Sequence, residues 1–130
     1  MTITEGTYVD KAEKVILGLK SKKNKNGKTV PMVTTSKLRK IYALTADIYN
    51  QVMNEQKEVL SADVVGRIEY LRVRIIYEAG RENDVKSFVE DSELLENIKE
   101  IKASRKNFLL FNHYMEALVA FHKFHGGKEF

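Results

Sequence analysis

The sequence predicts an all-α protein, a compact bundle of about five helices in one domain. A single proline and seven glycines leave few breakers in 130 residues, and the stretches between them carry apolar residues every three to four positions. Hydrophobic residues at 43% and charged residues at 31% are ordinary for a globular chain. We therefore expect residues 1–130 to share one core, with residues 20–33 as a flexible basic loop and 127–130 as a tail.

The first predicted helix runs from about Tyr8 to Leu19 and is short and amphipathic. Its apolar face is formed by residues spaced three, four and three apart: Val9, Ala12, Ile16 and Leu19. The loop that follows combines lysine, asparagine, Gly27 and Pro31 without an apolar period. This composition is typical of a mobile surface loop.

The second helix is predicted to start at the hydroxyl residues 34–36, which can cap it, and to end near Gln56. Its apolar seam is Leu38, Ile41, Tyr42, Thr45, Ile48, Tyr49 and Val52. A third helix is predicted from the cap Ser61 to just before Gly80. Its core face is Val64, Ile68, Leu71, Ile75 and Ala79. This seam continues on both sides of residues 73–77, so their strand-like composition does not indicate a strand.

A fourth helical segment contains Phe88, Leu95, Ile98 and Ile101, with a bend or interruption near Asp91. The fifth runs from about Lys106 to Phe124 and carries two apolar seams. They are Phe108, Phe111, Met115, Leu118 and His122, and Leu110, Tyr114, Ala117, Phe121 and Phe124. Such a helix is either central in its bundle or shared with a neighbouring molecule, and we favour the central position.

Charge is unevenly distributed along the chain, although the net charge is only +4. The segment from Glu82 to Glu100 contains seven carboxylates and only two lysines. Between Lys14 and Ala46 there is no acid and there are nine basic residues: Lys14, Lys20, Lys22, Lys23, Lys25, Lys28, Lys37, Arg39 and Lys40. A positive field without internal counter-ions attracts polyanions, so nucleic acid is the predicted partner. The alternative is a solvated lysine-rich loop without a ligand.

Several classes of function are disfavoured by the sequence. The chain has no cysteine, which excludes disulfides and thiol chemistry and fits a reducing, cytoplasmic setting. Its N-terminus does not resemble a signal peptide, and no apolar run approaches the ~18 residues of a membrane span.

Catalytic and metal-binding motifs are also missing. The order His113-x-x-Glu116 reverses the Glu-x-x-His of di-iron bundles, and no HExxH, phosphate-binding or nucleophile motif occurs. We expect a protein that is not an enzyme, without metal or cofactor.

Cations at the start of the second helix, Lys37, Arg39 and Lys40, suit a phosphate ligand. The free N–H groups and the positive end of the helix dipole favour an anion there. The same dipole makes each exposed cation in the first turn unfavourable by roughly 0.3–1 kcal/mol. This cost favours a functional reason for the three cations, and chance placement is the alternative.

The third helix carries a stripe at spacings of three and four: Arg67, Tyr70, Arg74, Tyr77 and Arg81. Arginine can fork onto phosphates and tyrosine can stack on bases, although tyrosine at such positions can also belong to the core. We predict the core position for Tyr77. Arg72 lies off the stripe and is predicted to be partly buried and paired with Glu69 or another carboxylate.

Three blocks of the chain, in order and spanning most of its length, resemble the small subunit of the type III-A CRISPR effector, the Csm complex. The blocks are TTSKLRKI at 34–41, YLRVR at 70–74 with YEAGRE at 77–82, and YMEALVA at 114–120 with Lys123 and Gly126-Gly127. The resemblance implies a non-catalytic helical bundle that stacks in several copies beside the backbone subunit. It also implies partners: guide RNA, target RNA, the backbone subunit and the large polymerase-like subunit.

Such a subunit meets any guide–target pair, so it should contact phosphates and A-form shape rather than base sequence. The predicted RNA-binding residues are Lys37, Arg39, Lys40, Arg67, Arg72, Arg74, Arg81 and Lys86. The alternative is a stand-alone DNA-binding regulator with a helix-turn-helix formed by the second and third helices. Its linker, about Gln56 to Leu60, is longer than the usual turn, and Asp63 opens the recognition helix.

Overall fold

The computed structural model describes residues 1–126, which form six α-helices. The helices are α1 (Tyr8–Lys20), α2 (Thr35–Asn54), α3 (Ala62–Arg81), α4 (Asn83–Asp91), α5 (Leu94–Lys99) and α6 (Arg105–Phe124). The predicted all-α class is confirmed. The helices number six rather than about five because the fourth predicted segment is two helices. The predicted tail, 127–130, lies outside the described residues.

The break between α4 and α5 lies at the predicted position. The backbone of Glu93 adopts the left-handed conformation, with φ 55° and ψ 38°. Residues other than glycine rarely adopt this conformation, and it interrupts a right-handed helix. Ser92 beside it is fully buried, and its main-chain oxygen accepts a hydrogen bond of 2.9 Å from the Tyr114 hydroxyl. The core therefore fixes the turn that separates the two helices.

Each of the three long helices, α2, α3 and α6, is capped at its N-terminus by a hydroxyl side chain. The side-chain oxygens of Thr34, Ser61 and Ser104 accept from the main-chain N–H groups of Lys37, Val64 and Asn107 at 3.3, 3.3 and 3.2 Å. Each bond satisfies an N–H that has no partner within its helix. The predicted starts of α2 and α3 are confirmed, whereas α3 continues through Gly80 to Arg81 rather than stopping before it.

Helix α6 lies at the centre, packed against α1, α2 and α5. Its first seam is buried throughout, from Phe108 to His122. In the second seam Leu110 and Tyr114 are buried, but Phe124 at the end of the helix is 79% exposed. The structure thus supports the favoured central position, and the second seam leaves the core only in the last turns.

One residue that was predicted to lie on the core face of α1 lies at the surface. Val9 is 45% exposed, while Ala12, Ile16 and Leu19 are buried as predicted. The preceding residue, Tyr8, packs against the core instead, and its ring stacks on His113 of α6 with centroids 6.2 Å apart. The core-facing side of α1 therefore passes through Tyr8 rather than Val9.

Contacts between helices bring four helix ends together. Lys40 near the start of α2 contacts Glu78 near the end of α3, and Lys37 contacts Asp84 in the first turn of α4. His122 in the last turn of α6 contacts Val33, just before α2. The start of α2, the end of α3, the start of α4 and the end of α6 therefore lie at one end of the bundle. None of the helices within residues 1–126 has the length and apolar character to cross a membrane.

Candidate nucleic-acid interface

Three cations from two helices surround one carboxylate oxygen at this end of the bundle. The Nζ of Lys40 donates to Oε1 of Glu78 at 3.0 Å, and guanidinium nitrogens of Arg74 and Arg81 lie 3.9 and 4.0 Å from the same oxygen. Glu78 is only 7% exposed. We call these four residues the Glu78 cluster.

Helical spacing and the antiparallel course of α2 and α3 assemble the cluster. Arg74 and Arg81 lie four residues before and three after Glu78, so both share its side of α3. Lys40 reaches the carboxylate from α2. A buried carboxylate is costly unless it is paired, and these cations supply the pairing.

The cluster keeps a surplus of positive charge that solvent can reach. Three cations share one carboxylate, and the side chains of Lys40, Arg74 and Arg81 are 48%, 35% and 53% exposed. Both arginines lie beyond hydrogen-bonding distance of Glu78, and the Nε of Arg74 is buried without a partner among residues 1–126. The solvent-exposed guanidinium nitrogens of the two arginines therefore remain available for an external acceptor such as a phosphate, whereas the buried Nε of Arg74 does not.

Lys37 is held differently. Its Nζ donates to Asp84 at 2.9 Å and to Glu82 at 3.4 Å, and the hydrogen bond to Asp84 raises the pKa of Lys37 above its ordinary value. Lys37 is therefore positioned at the start of α2, but most of its charge is balanced within the protein.

The expectation that the basic run has no internal counter-ions is wrong. Lys22 pairs with Asp91 at 3.2 Å, and Lys37 and Lys40 pair with the acids described above. These acids all lie between residues 78 and 91. The acidic segment folds against the basic run, because α4 packs beside α3 and begins next to the start of α2.

Two exposed cations of the predicted set have no such partner within residues 1–126. Arg39 and Lys86 are exposed, and neither forms an ion pair with another described residue. Arg39 follows Leu38 and precedes Lys40 in α2, and it lines a small hollow with Val119 and Ala120 of α6. It is therefore the cation of α2 whose charge is least balanced by the protein.

Arg67 and Arg72 lie outside the cluster. Arg67 donates to the side-chain oxygen of Gln51 and lines a groove of about 560 Å³ between α2 and α3 that also contains Asp47 and Asp63. Arg72 is partly buried and lies 3.5 Å from Glu69, as predicted. Acids near both arginines make these parts of α3 less positive than its C-terminal end.

The tyrosines of the α3 stripe both face solvent. Tyr70 is 61% exposed and Tyr77 is 58% exposed, so the predicted core position of Tyr77 is wrong. The core side of α3 passes through Ile75 and Ala79, and Tyr77 lies between them in sequence but on the outward face. The outward face therefore presents an aromatic ring between Arg74 and Arg81.

The basic loop is anchored at two points. The Nζ of Lys22 donates to Ser87 at 2.7 Å, and the ring of His122 is hydrogen-bonded to the main-chain oxygen of Val33. Between them, the side chain of Asn24 accepts from the main-chain N–H groups of Asn26 and Lys28. The flexibility of the loop stays a prediction, while these bonds fix where it joins α2.

Neither the role of Glu78 nor the hydrogen bond of His122 was predicted from the sequence. The spacing Arg74, Glu78, Arg81 was the available signal for the first. For His122 there was none, because its partner lies 89 residues away. Among residues 1–126, no three histidine, aspartate or glutamate side chains come together as metal ligands would.

Comparison with known proteins places the chain in a family. The family model described as "Csm2 Type III-A" matches residues 13–128. "CRISPR system Cms protein Csm2" of Streptococcus thermophilus is 42% identical over 127 residues, 98% of each chain. The protein of the same name from Mycobacterium tuberculosis is 39% identical over 124 residues, 95% of each chain, and that from Enterococcus italicus is 41% identical over 95 residues, 72% of this chain and 68% of the relative. The chain therefore belongs to the Csm2 family of type III-A CRISPR systems and is a Csm subunit.

Proposed function

We propose that this chain is the non-catalytic small subunit of a type III-A CRISPR ribonucleoprotein in antiviral defence. Several copies stack along the complex, and each binds the backbone of the guide RNA–target RNA duplex without sequence specificity. The observation that carries this proposal is the Glu78 cluster, where three cations that solvent can reach share one buried carboxylate.

Backbone contact suits both this ligand and these residues. The major groove of A-form RNA is deep and narrow, so side chains do not reach the base edges within it. Phosphates are accessible at every step of the duplex, and guanidinium groups bind them with two parallel hydrogen bonds. A surface of lysine and arginine therefore binds any guide–target pair.

The proposed RNA-contacting set keeps all the predicted residues: Lys37, Arg39, Lys40, Arg67, Arg72, Arg74, Arg81 and Lys86. Arg39 and the cations of the Glu78 cluster form its centre, because solvent reaches all of them and they lie at the same end of the bundle. Tyr70 and Tyr77 on the same face of α3 are placed to stack on a base or hydrogen-bond to a ribose.

The proposal includes partners and location. The partners are guide RNA, target RNA, the backbone subunit, the large polymerase-like subunit and adjacent copies of this chain, in the cytoplasm. Exposed cations grouped around one buried carboxylate support a binding role rather than catalysis. No observation favours the alternative DNA-binding regulator, since residues 55–61 separate α2 from α3 by more than a helix-turn-helix allows.

Recovery of the complex from its native cell tests this proposal. A tagged full-length chain should co-purify with other Csm subunits and a small guide RNA. Target RNA carrying 4-thiouridine, irradiated in that complex, should cross-link to peptides covering residues 37–40 and 70–81 rather than 94–106. A bare monomer, or cross-links confined to 94–106, would contradict the proposal.

A further inference from the structure

We propose that Glu78 is a positioning residue for RNA binding: it holds Lys40, Arg74 and Arg81 at the spacing at which they meet RNA phosphates. This inference rests on the function proposed above. It assigns a role to the acidic residue at the centre of a basic surface.

The first support is that one atom organises three cations. Lys40, Arg74 and Arg81 all approach Oε1 of Glu78, and they come from two different helices. Without a negative charge between them, three like charges would repel one another. Their long side chains would then spread over more rotamers, and that freedom would be lost again on binding RNA.

The second support is the difference in exposure between the carboxylate and its cations. Glu78 is 7% exposed, whereas the cation side chains are 35–53% exposed. An approaching phosphate therefore meets the cations, while the carboxylate lies behind them. A buried carboxylate at a core-facing position costs desolvation that an apolar residue would avoid, which favours a specific role for this one.

Glu82 supplies a matched comparison four residues further along the chain. Its side chain is 36% exposed and lies 3.4 Å from a single cation, Lys37. Asp84 holds the same lysine at 2.9 Å, so the loss of Glu82 leaves Lys37 in place. Glu78→Gln and Glu82→Gln thus change net charge equally, but only the first releases a group of cations.

The two substitutions separate positioning from simple charge, because the two effects have opposite signs. Each removes one negative charge, which by itself strengthens binding to a polyanion. If Glu78 positions the cations, Glu78→Gln in the assembled complex should weaken target-RNA binding by about threefold to tenfold. The slope of log K against log salt should become shallower by roughly 0.7–0.9 for each phosphate that the variant no longer neutralises. Glu82→Gln should bind as tightly as the unmodified complex or more tightly.

A second variant keeps the test independent of folding. Glu78→Asp preserves the charge but shortens the side chain by one methylene. The target-RNA affinity of the complex with this variant should therefore lie between those of the Glu78→Gln complex and the unmodified complex. The positioning role would be overturned if the Glu78→Gln complex bound target RNA as tightly as the unmodified complex or more tightly. It would also be overturned if the Glu78→Asp complex bound target RNA as tightly as the unmodified complex. If Lys40→Glu also leaves RNA binding unchanged, the proposed RNA surface itself is wrong.

Discussion

The buried ring of His122 donates a hydrogen bond from Nε2 to the main-chain oxygen of Val33 at 2.6 Å. This bond joins the last turn of α6 to the residue before Thr34, the cap of α2. The central helix of the bundle therefore fixes the start of the helix that carries Arg39 and Lys40. Since Val33 is only 1% exposed, water cannot readily replace the ring as a donor.

Replacement of His122 by alanine should lower the free energy of unfolding by roughly 2 kcal/mol, because it leaves a buried carbonyl without a donor and opens a cavity. Urea unfolding of the isolated chain measures this loss. His113→Ala is the matched control, since His113 is exposed on the same helix and only stacks on Tyr8. It should cost about 0.5 kcal/mol or less, and equal losses for the two variants would contradict the role of the His122 bond.

Tyr114→Phe tests the buried turn between α4 and α5. The variant removes the hydroxyl that donates to Ser92, so the free energy of unfolding should fall by about 1–2 kcal/mol at neutral pH. The same variant also tests how the free energy of unfolding depends on alkaline pH. Burial raises the pKa of Tyr114 above its ordinary value of about 10, so the hydroxyl ionises in the unfolded chain first.

The stability that depends on the neutral Tyr114 is fully present below pH 10 and is lost as the pH rises towards the folded-state pKa. Lys37 acts in the same direction above pH 10.5, because its bond to Asp84 raises its pKa. Urea unfolding at pH values from about 8 to about 11 should show a steep loss for the unmodified chain and a shallower one for Tyr114→Phe. Identical slopes would show that the Tyr114 hydroxyl is not protected from ionisation.

Tyr77→Ala distinguishes a surface role from a core role. Because Tyr77 is 58% exposed, its loss should change the free energy of unfolding by no more than about 0.5 kcal/mol. If the ring contacts RNA, target-RNA affinity of the assembled complex should fall about fivefold or more. Ile76→Ala removes a similarly exposed apolar residue from another side of α3 and should leave affinity unchanged. Equal effects of the two variants on RNA affinity would argue against a specific contact by Tyr77.

Charge reversal at Arg39 and at Lys37 should have different consequences. Arg39→Glu should leave stability within about 0.5 kcal/mol, because Arg39 has no ion-pair partner among the described residues. Lys37→Glu should destabilise the chain by about 1 kcal/mol, since it places a third carboxylate beside Glu82 and Asp84. Thermal unfolding of both variants measures the difference. A larger loss for Arg39→Glu would contradict the pairing described here.

Helical periodicity and caps were sufficient to predict the class of fold and most helix bounds. Two residues that were wrongly assigned to the core show what such patterns do not predict. Val9 and Tyr77 both carry apolar character, but which side of a helix meets a neighbour depends on the packing of α1 and α3, which a single helix does not encode.

The candidate site was predictable in its residue types but not in its pairing. Lys40 and Glu78 are 38 residues apart, and Lys37 and Asp84 are 47 apart. A run of charge along the chain cannot reveal which acids fold onto it. Once the helices are packed, Lys22, Lys37 and Lys40 of the basic run are paired with acids, whereas Arg39 is exposed and has no ion pair among the described residues.

The salt dependence of target-RNA affinity in the assembled complex tests the central claim most directly. The double variant Arg39→Glu, Lys40→Glu should bind more weakly, and its slope of log K against log salt should become shallower by roughly 0.7–0.9 for each phosphate left without its cation. Lys99→Glu with Lys106→Glu makes the same charge change on exposed lysines away from the Glu78 cluster and should have a smaller effect. Unchanged affinity and an unchanged slope for the Arg39, Lys40 variant would contradict RNA backbone contact at the start of α2.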